Sequence, residues 1–251
     1  MKMAADDENI LDFGAIFAVA DGIGGEHGGE TASRLTLFQF ERHFYHIHKK
    51  GADDESYVQS IRAAAGRANE TILALAASNR HLKKMGTTLA GVCLTPPGYI
   101  LFHAGDSRIY RFRNGILKQL TRDDTLAEMA YGAGILSSSE IFGSYSRHTL
   151  TNFVGSETFA LHINPGPKLN PKDIILICSD GLHGEISLET LERALGQSSC
   201  VKTACDKLLH QYYRVGGTDN ISVILIQALD SDLKPPDILN ERLMSDESCI
   251  Q

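Results

Sequence analysis

The stretch AIFAVADGIGGEHGGE, residues 15–30, sets a run of apolar residues against a carboxylate, Asp21, and then against a group of glycines. The same order recurs along the chain. FAVADG carries Asp21, LFHAGDS carries Asp106 and ILICSDG carries Asp180, while in GGTDNISVILI Asp219 stands just before its apolar run. A short uninterrupted run rich in β-branched and aromatic residues, bounded by glycine, reads as a strand buried on both faces. These acids therefore emerge at sheet ends and not on open helix faces. Each has a glycine beside it or within two residues, which lets backbone carbonyls approach a common point. Taken singly, an Asp-Gly pair reads as an ordinary turn. Four of one type point to a shared site.

The segments between these runs limit the fold class. Leu35, Phe38, Phe44 and Ile47 recur at helical spacing, and SYVQSIRAAAGRANETILALAAS predicts a second helix. TTLAGVCLT, YILFHAG, RIYRFR and ILKQLT follow as closely spaced strands, with Asn114-Gly115 as a hairpin signal. RDDTLAEMAYGAG predicts a short helix, and ILSSSEIFGSYSRHTLTNFVGSE reads as a polar excursion. Helices are expected over about 187–213, between the strands DIILICSDG and NISVILIQAL. From residue 229 the chain loses periodicity and gains Pro and acid, as a flexible tail does. Helix pairs around a dense β block predict one α+β domain, a layered sandwich of mainly antiparallel sheets.

Composition narrows the partners. A net charge of −7 and the absence of Trp argue against nucleic acid and anionic membrane surfaces. The five cysteines are scattered, with no C-x-x-C pair, so reduced thiols are expected in place of a disulfide or zinc framework. The first residues are acidic and do not form a signal peptide, and no apolar run approaches the roughly 20 residues that span a bilayer. A cytoplasmic monomer is the expectation.

Convergent aspartates repel one another, which raises their pKa values and destabilises the fold unless a cation neutralises them. Asp and backbone carbonyl oxygens, with no Cys or His in the same motifs, form a hard donor set that suits Mg²⁺ or Mn²⁺ and fits zinc poorly. Asp21 then does not meet a phosphate directly; a metal sits between them.

FAVADGIGG, GTTLAGVCL, HAGDSRIYRFRNGILKQLTRDDT, HTLTNFVGS, ICSDGLHGEIS and GGTDNISVILI occur in this order. Together they resemble the metal-dependent protein phosphatases of the phosphatase 2C-like (PPM) family in its compact bacterial form. The resemblance covers roughly residues 6–228. It implies a four-layer αββα sandwich, two mainly antiparallel sheets flanked by helix pairs, as a catalytic domain over residues 1–228. The irregular stretch from about 122 to 155 matches the family's flap, with residues 229–251 as tail. It further implies two Mn²⁺ or Mg²⁺ ions bridged by Asp21, with Gly22 lending its carbonyl and Asp180 and Asp219 as further ligands. Asp106 resembles the acid that, with Asp180, holds a weaker third ion. The implied reaction is in-line attack on phosphorus by a hydroxide held between the ions, on phosphoserine or phosphothreonine in proteins, reversing bacterial Ser/Thr kinase signalling.

The opening MKMAADDENIL departs from the family pattern, since most of the usual first strand is missing from it. Asp7 aligns with the final acid of the N-terminal metal motif, with Asp6 as neighbour. The phosphate-binding Arg of the family falls on or near Lys2, a point charge in place of a bidentate fork. Ile23 stands where some members carry His, leaving the general acid unassigned; His27 reads as solvent-facing. His43, His46 and His48 read as a solvated helix end, Arg108 as an ion-pair partner, and Ser107 and Ser179 lack a His at nucleophile spacing. Two other functions compete. A phosphatase-like binding domain without turnover is favoured by the altered N-terminus and opposed by the retained Asp21, Asp180 and Asp219. A dinucleotide site fails because the G-x-G-x-x-G register puts His27 at the third glycine.

Overall fold

The structure, a computed structural model, describes residues 14–47, 53–95, 98–137, 140, 145–166 and 168–229. Strand β1 (Ala15–Val19) leads through a two-residue strand β2 (Gly22–Ile23) into α1 (Gly25–Ile47) and α2 (Asp54–Ser78). Strands β3 (Gly86–Thr87), β4 (Leu89–Thr95), β5 (Gly98–Ala104), β6 (Arg108–Arg113) and β7 (Ile116–Gln119) follow, then α3 (Leu126–Gly132). After β8 (His162–Pro165) and β9 (Ile174–Cys178) come a single turn α4 (Asp180–His183), then α5 (Leu188–Gly196), α6 (Val201–Arg214) and β10 (Val223–Gln227).

Two four-stranded sheets result, ordered β1-β4-β5-β8 and β10-β9-β6-β7, with every pair antiparallel. Asn114 and Gly115, at φ 52° and 82°, make the tight β6–β7 turn that their identities predict. Strand parity builds three cores from these sheets. Leu89, Cys93, Ile100 and Phe102 of the first sheet face α1 and α2. Ala90, Val92, Tyr99 and Leu101, one residue out of phase, face Ile109, Ile175 and Ile177 of the second sheet. Leu176 and Cys178 turn the other way, onto Leu191, Leu195 and Leu208 of α5 and α6. The result is the αββα order that the resemblance implies.

Tyr57, Ile61, Ala64, Ala65, Ala68 and Ile72 repeat at helical spacing and form the buried stripe of α2. Its start is capped by the Asp53 side chain, which accepts from the Ser56 amide at 2.9 Å. In α1 the stripe differs from the expected one. Gly28, Gly29, Ala32, Thr36 and Phe40 are buried, and Phe38 is exposed. Small residues let this helix lie close to its neighbours, a requirement that a search for large apolar residues misses. Phe44 and Ile47 have side chains outside the described set.

One more expectation changes, and one strand had no counterpart in the sequence reading. β1 and β10 were expected to be buried on both faces, but each stands at a sheet margin among the described strands and is only partly buried. β8, where Pro165 and the following Gly166 argue against a strand, is present as the other margin of the first sheet, the place where a proline is tolerated. No helix among the described residues is long and apolar enough to cross a membrane. Cys93 and Cys178 are free core thiols, and burial pushes Cys178 up to about 12.

Phe102 is fully buried and stacks on Phe40 with ring centroids 5.3 Å apart. Phe102→Ala is expected to lower unfolding free energy by about 3–5 kcal/mol, read from denaturant midpoints at unchanged slope.

Candidate metal centre

Strand register brings the acid-bearing ends together. β1 ends at Val19, opposite Ala90, and Leu89 at the start of β4 lies opposite Ala104 at the end of β5. Only Gly105, Asp106 and Ser107 separate that end from β6 in the other sheet, and Gly105 makes the crossing at φ 103°. In the second sheet Cys178, the last residue of β9, is paired with Arg108 and Val223, the first residues of β6 and β10. Asp21, Asp106, Asp180 and Asp219 thus occupy one end of the sandwich.

The acids feel one another there. Burial raises Asp21 most, followed by the charge of Asp180, a hydrogen bond with Asp180, and the charges of Asp219 and Asp106; its pKa reaches about 7 from an ordinary 3.8. Asp106 is also pushed up to about 7, by burial first and then by Asp180 and Asp123. Asp106 is buried, Asp21 and Asp180 are partly buried and Asp219 is exposed at the rim. Carboxylates held together against their own repulsion in this way are the electrostatic form of a cation site. The donors are all oxygen, which fits Mg²⁺ or Mn²⁺.

The backbone carries the arrangement. Asp21 donates its N–H to Thr88 Oγ1 at 3.1 Å, and its carbonyl accepts from the Thr88 amide at 2.8 Å and Thr87 Oγ1 at 2.7 Å. Thr88 Oγ1 is shared with Ser107 Oγ at 2.7 Å, and Ser179 Oγ accepts from the Ser222 amide at 3.0 Å, so both serines serve the scaffold. The glycines after Asp21 have a packing reason. A Cβ on Gly29 would stand 2.6 Å from the Gly22 carbonyl carbon, so the start of α1 touches β2 backbone to backbone. Exposed Gly22 is held by that contact and by pairing with Thr87.

Arg108 forms a two-pronged pair with Asp123, Nε to Oδ1 at 2.9 Å and Nη2 to Oδ2 at 2.7 Å, and also donates to Tyr110 Oη at 3.1 Å. The expected ion-pair reading of Arg108 stands. Beside the acids opens a cavity of about 730 Å³ lined by Asp106, Asp180 and Asp219, by Arg108, Arg122 and Arg147, and by His148 and His183. Residues 122–155 supply part of that wall.

A model of the protein phosphatase 2C family matches residues 6–226. The chain belongs to this family. It is 31% identical over 236 residues to the serine/threonine protein phosphatase PstP of Mycobacterium tuberculosis, covering 91% of this chain and 43% of that relative. The chain therefore spans less than half the length of PstP. It is 27% identical over 218 residues to the serine/threonine phosphatase stp of Listeria monocytogenes, covering 84% of each. A solved structure of the PstP catalytic domain in complex with two manganese ions superposes with TM-score 0.70 at 26% identity, over 92% of this chain and 94% of that one.

Within this phosphatase 2C fold, sequence reasoning missed three nearby residues. His183 donates its Nε2–H to the Asp106 carbonyl at 3.0 Å, and burial pushes it down to about 4, so it is neutral at pH 7. Its signal was available: residues 180 and 183 share a helix face. Asp123 and Asp124, in the RDDTLAEMAYGAG stretch read as a short helix, were given no role and lie ahead of that helix; the first pairs Arg108, and the second accepts from the Gly105 amide at 2.9 Å. His27 is exposed on α1, as expected. Lys2, Asp6, Asp7, His48 and the tail from residue 230 lie outside the described residues, as do the side chains of His43 and His46.

The raised carboxylates predict how metal-free protein responds to pH. In the unfolded chain Asp21 and Asp106 release their protons near 3.8, but in the folded chain only near 7. The stability these two groups contribute is therefore fully present below 3.8 and is lost as pH rises through 7. In chelator, Asp21→Asn should melt above the parent at pH 8 and lose that advantage at pH 4. Saturating Mn²⁺ should reverse the order at pH 8, as thermal melts would show.

Proposed function

We propose that this chain is a divalent-metal-dependent phosphatase of phosphoserine and phosphothreonine in proteins, opposing bacterial Ser/Thr kinase signalling. The observation that carries the proposal is the gathering of Asp21, Asp106, Asp180 and Asp219 at one sheet end beside an arginine-bearing cavity. The similarity to the serine/threonine phosphatases PstP and stp supports the same reading.

Asp21, Asp180, Asp219 and the Gly22 carbonyl are the residues that would hold two ions, with Asp7 as a further ligand and Asp106 with Asp180 for a third. When bound, such ions supply charge for the phosphoryl oxygens and lower the pKa of water for in-line attack. The chain's own groups do the rest. Thr87 and Thr88 fix the Asp21 backbone, so its carboxylate is aimed before any ligand arrives. His183 holds the Asp106 carbonyl without adding charge. Asp123 neutralises Arg108, which leaves that guanidinium as a wall and not a phosphate clamp. Lys2 is proposed to meet the substrate phosphate, as a single charge.

Purified full chain should hydrolyse p-nitrophenyl phosphate and phosphothreonine peptides with added Mn²⁺ or Mg²⁺, and chelator should abolish turnover. Asp180→Asn should lower kcat/KM by about 100-fold or more while circular dichroism stays unchanged. Turnover without divalent ions, or an unimpaired Asp180→Asn protein, would reject the proposal. Lys2→Ala should raise KM for peptide more than it lowers kcat, because it removes binding charge and no metal ligand.

A further inference from the structure

A second cluster of metal-type ligands lies apart from the four aspartates. His103 of β5 and His162 of β8 are direct cross-strand partners, and their rings lie 4.7 Å apart, centroid to centroid. Asp124, from the loop after β7, completes the group; one ligand atom from each residue lies within 4.8 Å of the others. We propose that His103, Asp124 and His162 form a second metal site, for a borderline divalent cation of the zinc type, that clamps the start of the 122–155 segment to the margin of the first sheet.

The surrounding hydrogen bonds are those of a site with oriented ligands. His103 is buried and gives its Nε2–H to the Arg122 carbonyl at 2.9 Å, which fixes the tautomer and leaves a lone pair on Nδ1. Asp124 Oδ2 is held by the Gly105 amide at 2.9 Å and by Asn152 Nδ2 at 2.7 Å. Its Oδ1 is left to face His162 Nε2 at 3.0 Å. Around a tetrahedral ion with bonds of about 2.0–2.1 Å, ligand atoms stand roughly 3.3 Å apart. The His162–Asp124 pair already has nearly that spacing, with a proton where the ion would sit. Further closure is available to the half-exposed His162.

Donor chemistry separates this site from the aspartate centre. Two imidazoles and one carboxylate favour zinc-type ions, whereas an all-oxygen set favours Mg²⁺ or Mn²⁺. Three protein ligands leave a fourth position for water. A clamp follows because β5 and β8 are already joined by strand pairing, whereas Asp124 brings in the loop that opens the 122–155 segment, which is outside that ladder.

The test uses the full chain in excess Mg²⁺, with Zn²⁺ as ligand and Co²⁺ as spectroscopic probe. The parent and Asp180→Asn should each retain one Zn²⁺ per chain through gel filtration and give the intense visible absorption of four-coordinate Co²⁺. His162→Gln, at a half-exposed position, should lose both signals with an unchanged far-ultraviolet spectrum. Zinc should slow proteolysis within residues 122–155 in the parent and not in His162→Gln. Failure of the parent to retain zinc would overturn the site, as would zinc retained equally by His162→Gln or lost in Asp180→Asn. Cleavage indifferent to zinc would overturn the clamp.

Discussion

Repulsion among four carboxylates is the constraint around which this molecule is built. Left in water, Asp21, Asp106, Asp180 and Asp219 would separate. Folding removes part of their solvent and sets them close enough that Asp21 responds to all three of the others. Apart from the hydrogen bond between Asp21 and Asp180, nothing in their own side chains pulls them together. The attraction is supplied elsewhere, by strand pairing and by the apolar layers between and outside the sheets. Because each acid follows or precedes a different strand, ordinary ladder hydrogen bonds determine their mutual distance. The unfavourable electrostatics are thus held by a scaffold with no side-chain stake in them, which is how a preformed ion site is made.

The same logic explains why so few charged groups near the centre act as counter-ions. Arg108 is close enough to lower Asp106, yet its guanidinium is committed to Asp123 by two short hydrogen bonds. His183 is neutral and offers only a hydrogen bond to a carbonyl. Had either carried a free charge toward the acids, the carboxylates would have been neutralised from within, and affinity for an external ion would fall. Neither group offers the acids a free charge.

Most of the architecture was legible from periodicity, because strand identity and parity are local properties. RIYRFR is a strand with Tyr110 and Phe112 on one face and Ile109 on the other, and alternation states as much. The convergence of the acids was legible too, once each apolar run was seen to end or begin in one. Three things were not. The α1 stripe opens with Gly28, Gly29 and Ala32, whose importance is absence of bulk, before it reaches Phe40, and apolar counting is blind to those small residues. β8 contains Pro165, which propensity reads as a break, and only its place at a sheet margin makes it compatible with pairing. Asp123, Asp124 and His103 have tertiary roles with partners 15 to 38 residues away, and no short motif records such pairs.

The two ion-binding chemistries argued for this chain differ in what folding must do beforehand. The aspartate centre is unfavourable until filled, so its occupancy stabilises the native state by relieving strain already present. The His103–Asp124–His162 group is held in place without an ion: the Asp124 carboxylate accepts from Gly105, Asn152 and His162. An ion there replaces a proton and gains only the difference between a coordinate bond and a hydrogen bond. The first site must therefore be expected to govern stability at neutral pH. The second can be filled or emptied with the fold intact. Asp124 touches both regions through the Gly105 amide, one residue from Asp106, so the two are joined by backbone and not by shared ligands.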